Sequence, residues 1–180
     1  GGGSWQPTGS FTGLGPGNYN VVIRDASEPG CMVVLNNSLQ INQPGMLFAV
    51  VTPTHVTCNG ANDGIINITA PVGGSGAYDY STDGGTTWQP SGLFNNLSPG
   101  TYVVQIRDAA NQACVITLNG ALTITEPGPL SANLVSTDIS CNGAADGTIT
   151  ISFATGGYGT YQYSINGGGT WENTGAYTNL

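Results

Sequence analysis

The sequence predicts an all-β chain built of tandem Ig-like β-sandwich repeats of 83 residues, stacked as a rod or filament. Three observations carry that expectation. The 180 residues include 29 Gly and 10 Pro among abundant Thr, Val and Ile, a composition of short extended runs cut by tight turns. Trp5, Trp88 and Trp171 recur every 83 residues, as do Cys31 with Cys114 and Cys58 with Cys141. No window sustains a helical period.

The period holds without a gap. Leu14-Gly-Pro-Gly-Asn-Tyr19 lies over Leu97-Ser-Pro-Gly-Thr-Tyr102, Ile23–Ala26 over Ile106–Ala109, and Cys58–Ala61 over Cys141–Ala144. The only two cations, Arg24 and Arg107, share one repeat position, which makes Arg a feature of the repeat and not a scattered solubilising charge. Residues 1–14, 84–97 and 167–180 are three copies of one segment. The phase therefore predicts a C-terminal part of a repeat at 1–46, a complete repeat at 47–129, and the N-terminal part of a further repeat at 130–180. Boundaries that cut through cores predict a piece of a longer polymer or giant surface protein.

Within the complete repeat each element follows from its pattern. Leu47 to Thr57 is extended and apolar, and Cys58-Asn-Gly-Ala-Asn-Asp-Gly64 turns the chain. Ile66 and Ile68 alternate with polar neighbours, which predicts a half-buried strand. Val72 to Ala77 is a loop, and Tyr78-Asp-Tyr-Ser81 starts the next strand. Asp83-Gly84-Gly85 reads as a tight hairpin, because Gly tolerates positive φ. Tyr102, Val104 and Ile106 share one face of a strand; Val103, Gln105 and Arg107 share the other. Cys114–Leu118 and Leu122–Thr125 flank Asn119-Gly120, which is either a type I′ turn or a bulge in one long strand. Glu126-Pro-Gly-Pro129 reads as a short, stiff hinge. Six to eight strands in about 80 residues suit an Ig-like sandwich. Leu97-x-Pro-Gly-x-Tyr102 fits a tyrosine corner. Ser81-x-Asp83-x-Gly85-x-Thr87-Trp88 fits the Asp-box hairpin, read here as structural, with Asn166 replacing the Asp in the next copy.

Composition excludes several functions. A net charge of -8 with two cations cannot displace phosphate counterions, so nucleic acid is not a partner. Attraction to an anionic membrane fails likewise. The longest wholly apolar stretch, Met46–Val51, is far too short to span a bilayer. The lone His55 aligns with Asp138, as a strand-surface residue would and a general base would not. Asp79 becomes Gln162 and Asp83 becomes Asn166 in the next copy, so the best acidic pair for glycoside hydrolysis dissolves. No enzyme, cofactor or resident metal is expected. Calcium would require six to eight oxygens; Asp63, Asp83 and Asp146 are read instead as turn caps.

The ordered motifs Cys58-Asn-Gly-Ala-x-Asp-Gly64, Gly73-Gly-x-Gly-x-Tyr-x-Tyr-Ser81, Leu97-x-Pro-Gly-Thr-Tyr-x-Val104, Arg107-Asp-Ala109, Cys114 and Thr123-Ile-Thr-Glu-Pro127 resemble the SprB-type repeat. That family builds long arrays in giant cell-surface adhesins of Bacteroidota, including gliding-motility adhesins. The resemblance implies an extracellular, cell-surface array exported by the type IX secretion system. It also implies neighbouring copies of the repeat as partners, within one chain or between filament mates, with surface polysaccharide as a further one. The segment from Cys114 to Glu126 departs by its length, and Cys31 by the Glu28-Pro-Gly before it.

In such an exported protein an even cysteine count predicts disulfides. The favoured pairing, Cys58–Cys114, closes one repeat and could contribute roughly 4 kcal/mol, although a simple Ig-like layout puts the Cys58 turn and the start of the Cys114 strand at opposite ends of the sandwich. Cys31–Cys58 and Cys114–Cys141 across the junctions stay open, as do free buried thiols. Sequons at Asn36, Asn67 and Asn96 are glycosylation candidates. Trp88, Tyr78, Tyr80 and Phe94 are expected to fill the sandwich core, since they recur at fixed positions. The functional expectation is a structural repeat giving an extracellular filament or adhesin stalk its length, stiffness and surface attachment. The rival is a carbohydrate-binding module array, for which exposed aromatic platforms would speak and burial of Trp88 and Trp171 would not.

Overall fold

The computed structural model describes residues 5–180. All eleven regular elements among them are β-strands. The chain divides into two compact units, one ending at Met46 and the other running Leu47–Leu180. In the first, β1 (Gly17–Arg24) pairs antiparallel with β2 (Met32–Ile41). In the second, β3 (Phe48–Thr54), β4 (Gly64–Val72), β5 (Tyr78–Ser81), β6 (Leu93–Leu97), β7 (Gly100–Asp108) and β8 (Val115–Ile124) form two three-stranded antiparallel sheets, ordered β3-β4-β6 and β5-β7-β8. A third sheet, ordered β11-β10-β9, follows from β9 (Gly128–Thr137), β10 (Thr148–Gly157) and β11 (Ala176–Tyr177).

Two-residue periodicity is what builds the sandwich. Gly64, Ile66 and Ile68 of β4 point inward, and Val104, Ile106 and Asp108 of β7 do the same from the opposite sheet. Leu47, Ala49, Val56, Tyr80 and Ile124 complete the buried cluster, with Tyr78, Phe94 and Leu97 packed against it. Six strands enclose this core, the architecture expected of a small β-sandwich.

The Asn119-Gly120 ambiguity resolves as a bulge. β8 runs unbroken, and the pairing slips between Tyr102↔Leu122 and Gln105↔Thr117. The Asn119 side-chain oxygen accepts the Ala121 N–H and braces the bulge, as Asn36 accepts the Ser38 N–H in β2. Both tyrosine corners close: the Tyr102 hydroxyl donates to Ser98 O and Tyr19 to Gly15 O, each at 2.7 Å. The expected hinge is shorter than its four residues, since only Thr125, Glu126 and Pro127 lie between β8 and β9.

The Asp-box hairpin is held by its own side chains. Tyr80 and Gln89 exchange backbone hydrogen bonds, Gly85 N–H donates to Ser81 Oγ, and Thr87 N–H and hydroxyl donate to the Asp83 carboxylate. Gly84 and Gly85 adopt φ of 72° and 88°, which a β-carbon would oppose. Asn166 likewise accepts the Thr170 N–H, but its Nδ2 donates to the Thr170 hydroxyl, which reverses that bond.

Gly92 and its counterpart Gly175 are required by close approach and not by φ. A β-carbon on Gly92 would meet the Ile68 carbonyl oxygen at 2.2 Å, where Ile68 N–H already donates to Gly92 O. Gly92→Ala is expected to destabilise the chain by about 2 kcal/mol or more. Gly120→Ala, which faces open space, should stay within about 0.5 kcal/mol. Urea denaturation of both variants beside the parent chain checks the contrast.

Candidate functional site

On the outer face of the β5-β7-β8 sheet, Asp79 and Arg107 are direct cross-strand partners. Arg107 Nε and Nη2 both donate to Asp79 Oδ2, at 3.0 and 2.9 Å. Its guanidinium also lies over the Trp88 ring at 4.4 Å, while Trp88 Nε1 donates to Gly85 O. Arg24 covers Trp5 in the same way, at 3.9 Å. This explains why both cations occupy one repeat position: each is the lid of a tryptophan. It also corrects the core assignment. Tyr80 is buried, and Tyr78 and Phe94 pack on the core, but Trp88 is half-exposed on the outer face. Trp171 is 59% exposed. The hairpin itself turns the indole outward, with Trp88 Nε1 donating to Gly85 O, since Trp171 is exposed with no arginine over it; the joint recurrence of Arg and Trp was the available clue to the lid.

The conspicuous aspartates are occupied by donors of their own turns. Asp63 accepts from the Thr57 N–H and hydroxyl, and Asp146 from the Ser140 N–H. Asp108 accepts from Ser75, Ala110 and Asn111, and Asp25 from Ser27. These bonds favour the charged form. The Ser27 hydroxyl leads in lowering the Asp25 carboxyl, the Thr57 hydroxyl that of Asp63, the Ser75 hydroxyl that of Asp108 and Ser140 that of Asp146. Asp83 is held at about 2, chiefly by the Thr87 hydroxyl and N–H. Among the described residues no three His, Cys, Asp or Glu side chains converge. His55 is exposed, and its Nδ1 accepts the Thr125 N–H at 3.1 Å; it ties the end of β3 to the end of β8.

Hydrogen bonds between residues 66 to 102 positions apart gather where 47–129 passes into 130–180. The three-residue linker is gripped from the repeat it leaves: Val56 N–H donates to Thr125 O, Gly60 N–H to the Glu126 carboxylate at 2.7 Å, and Asn59 Nδ2 to Pro127 O. From the repeat it enters, the Tyr158 hydroxyl reaches back to Val56 O at 2.8 Å. An open groove lined by Thr57, Cys58, Asn59, Pro129, Leu130 and Gly157 marks the seam. Tyr158 has no counterpart in the copy before it, where Ser75 stands and bonds Asp108. None of these partners is recognisable from sequence, because they come together only when β3 and β8 end at the same edge of the sandwich.

The cysteines are placed differently from expectation. Cys31, Cys58, Cys114 and Cys141 are all unpaired and exposed, so free thiols are not buried ones. Cys58 lies in the turn beside the linker, whereas Cys114 precedes the opposite end of β8, a strand of ten residues. That is about 30 Å, against a limit near 7 Å between bridged α-carbons. Closure of one repeat by Cys58–Cys114 is therefore ruled out in this fold. The sequons Asn36, Asn67 and Asn96 are all exposed, on β2, β4 and β6.

Comparison with known proteins places two segments of the chain in register with the repeat. Residues 50–87 and 133–170 both match the family model of the SprB repeat. No curated protein and no solved structure matches the chain.

Two outcomes follow from the site's geometry. A double-mutant cycle between Trp88→Ala and Arg107→Ala should return a coupling of about 0.5–1 kcal/mol, read from urea midpoints. Acid should weaken the fold through Asp83: its native carboxyl titrates near 2, below its unfolded value. Its stabilising contribution is therefore complete above roughly pH 4 and lost as pH falls toward 2. Asp83→Asn, which imitates Asn166, should flatten the fall in urea midpoint across that range.

Proposed function

We propose that this chain, a carrier of SprB-type repeats, is a strut: a structural segment of an extracellular adhesin or filament whose length grows with the number of repeats. The observation that carries the reading is the clamped linker, in which Glu126 and Pro127 are bonded to the Cys58 turn and Tyr158 spans the seam. A free linker would let neighbouring sandwiches swivel. This one transmits the orientation of one sandwich to the next, as a stalk under tension requires.

Surface chemistry agrees with that role. Charged residues make up 7% of the chain, and both cations are spent on tryptophan lids, which leaves a surface with little free charge. The family resemblance supports the finer setting: a cell-surface protein of Bacteroidota, exported by type IX secretion and serving attachment or gliding. Neighbouring repeats are the partners this reading requires, and a surface polysaccharide is the target for the attached end. We assign the chain no catalytic step. The carbohydrate-module alternative is disfavoured at Trp5 and Trp88, whose rings carry an arginine where a sugar would stack, and is favoured at Trp171, which is 59% exposed and, among the described residues, has no arginine over its ring.

Tandem polypeptides of two, four and six repeats test the strut. Their maximum dimension in small-angle scattering should rise linearly, by roughly 30–40 Å per repeat from the strand lengths. Tyr158→Phe with Glu126→Ala should bend that line downward. Growth with the square root of repeat number in the parent sequence would sink the proposal.

A further inference from the structure

β8 is the last strand of the β5-β7-β8 sheet, and among the described residues no strand joins its outer side. The repeat that holds it, 47–129, is complete, so the open edge does not arise from a missing half. Asp108 N–H donates to Cys114 O, so Cys114 faces β7 and, by the alternation of an antiparallel ladder, Thr117 faces away. At the other end Thr125 also faces away, its C=O bonded by the Val56 N–H and its N–H by His55 Nδ1. Thr123, two residues earlier, shares that direction. The backbone groups of Thr117 and Thr123 therefore point outward.

This edge lacks two of the devices that keep edges apart, since Val115–Ile124 contains no charged residue and no proline. Val115, Ile116, Thr117, Ala121 and Thr123 along it are exposed. The strand is also its own complement. Ile116-Thr-Leu-Asn-Gly-Ala-Leu-Thr-Ile124 reads the same in both directions about Gly120, except at Asn119 and Ala121. The bulge sits at that centre, where Gly120 faces open space. β2 repeats the pattern, with Val33, Leu35, Leu39 and Ile41 placed symmetrically about Asn37.

We propose that the edge of β8 pairs antiparallel with β8 of a second copy of this chain, about a two-fold axis at Gly120. Thr117 then exchanges backbone hydrogen bonds with Thr123 of the partner copy, and Thr123 with the partner's Thr117. Ile116 lies opposite Ile124 and Leu118 opposite Leu122, so like side chains share a face. Two three-stranded sheets become one continuous sheet. Each copy carries a net charge of -8, and an uncharged edge is where two such copies approach with least repulsion. The contact is isologous and closes on two strands. An edge about 30 Å by 10 Å falls short of the roughly 1,000 Å² that a durable interface covers. One pair is therefore weak, and tandem repeats strengthen it through avidity. For its setting this rests on the strut reading: opposed strand directions join stalks that rise from facing surfaces. The pairing can fail while the length scaling of covalent tandem repeats still holds.

Cross-linking of the full chain, with its four cysteines replaced by serine, reads the register directly. Gly120→Cys lies on the axis, within the α-carbon reach of a disulfide, whereas Thr117→Cys is held about 20 Å from its own counterpart. Under mild oxidation Gly120→Cys should form a covalent dimer about tenfold faster than Thr117→Cys, or more. Adding Thr117→Pro to Gly120→Cys removes an outward N–H, which an edge strand tolerates. It should lower the rate to that of Thr117→Cys while the thermal unfolding transition is retained. Ala121→Lys, which sets two cations beside the axis, should lower the rate as well without altering the backbone. No dimer at Gly120→Cys, equal rates at positions 117 and 120, or a rate that neither Thr117→Pro nor Ala121→Lys lowers would each overturn the proposal.

Discussion

Mutual burial of Ile66 and Ile68 against Val104, Ile106 and Ile124 is the constraint on which the rest depends. With 7% charged residues, ion pairs can contribute little to holding the strands. Apolar contact between the two sheets joins β3 and β4 to β7 and β8 along their length, with hydrogen bonds such as His55–Thr125 and Ser75–Asp108 at the edges. Each apolar side chain contributes roughly 1.5–3 kcal/mol when fully buried. That contact also brings the ends of β3 and β8 to one edge, where the linker can be gripped.

Polar groups refine what burial arranges. Aspartates consume their lone pairs on turn donors, which secures the turns and leaves no open carboxylate cluster at them. Asp79, Arg107 and Trp88 form a second layer on the outer face, with the ion pair largely buried and the indole neither buried nor bare. At the seam the backbone N–H groups of Val56 and Gly60 and the Asn59 side chain bond to the linker, and the Tyr158 contact is particular to this one seam.

Much of the fold was legible because its signals are local or periodic. Ile66/Ile68 alternation, the Ser81–Trp88 hairpin and the Tyr102 corner each depend on residues a few positions apart. The period of 83 exposed the equivalence of Arg24 and Arg107 before their role was visible. What was illegible depended on distance across the fold. Asn119-Gly120 carries the same residues in a turn as in a bulge, and only the partner strand β7 selects the bulge. Trp88 has the composition of a core residue, and the lid that covers its ring comes from an arginine 19 positions away. Loop length favours a Cys58–Cys114 bridge while an Ig-like layout separates the two, and the run of β8 sets that separation.

By itself, then, the sequence determined the repeat, its period and most of its strands and turns, because spacing and composition are properties of the chain taken in order. The tertiary structure alone decided which residues meet: the Arg–Trp lids, and the contacts of Gly60, Asn59 and Tyr158 at the linker. Those depend on which strand ends share an edge of the sandwich, and that is settled by the packing of the two sheets.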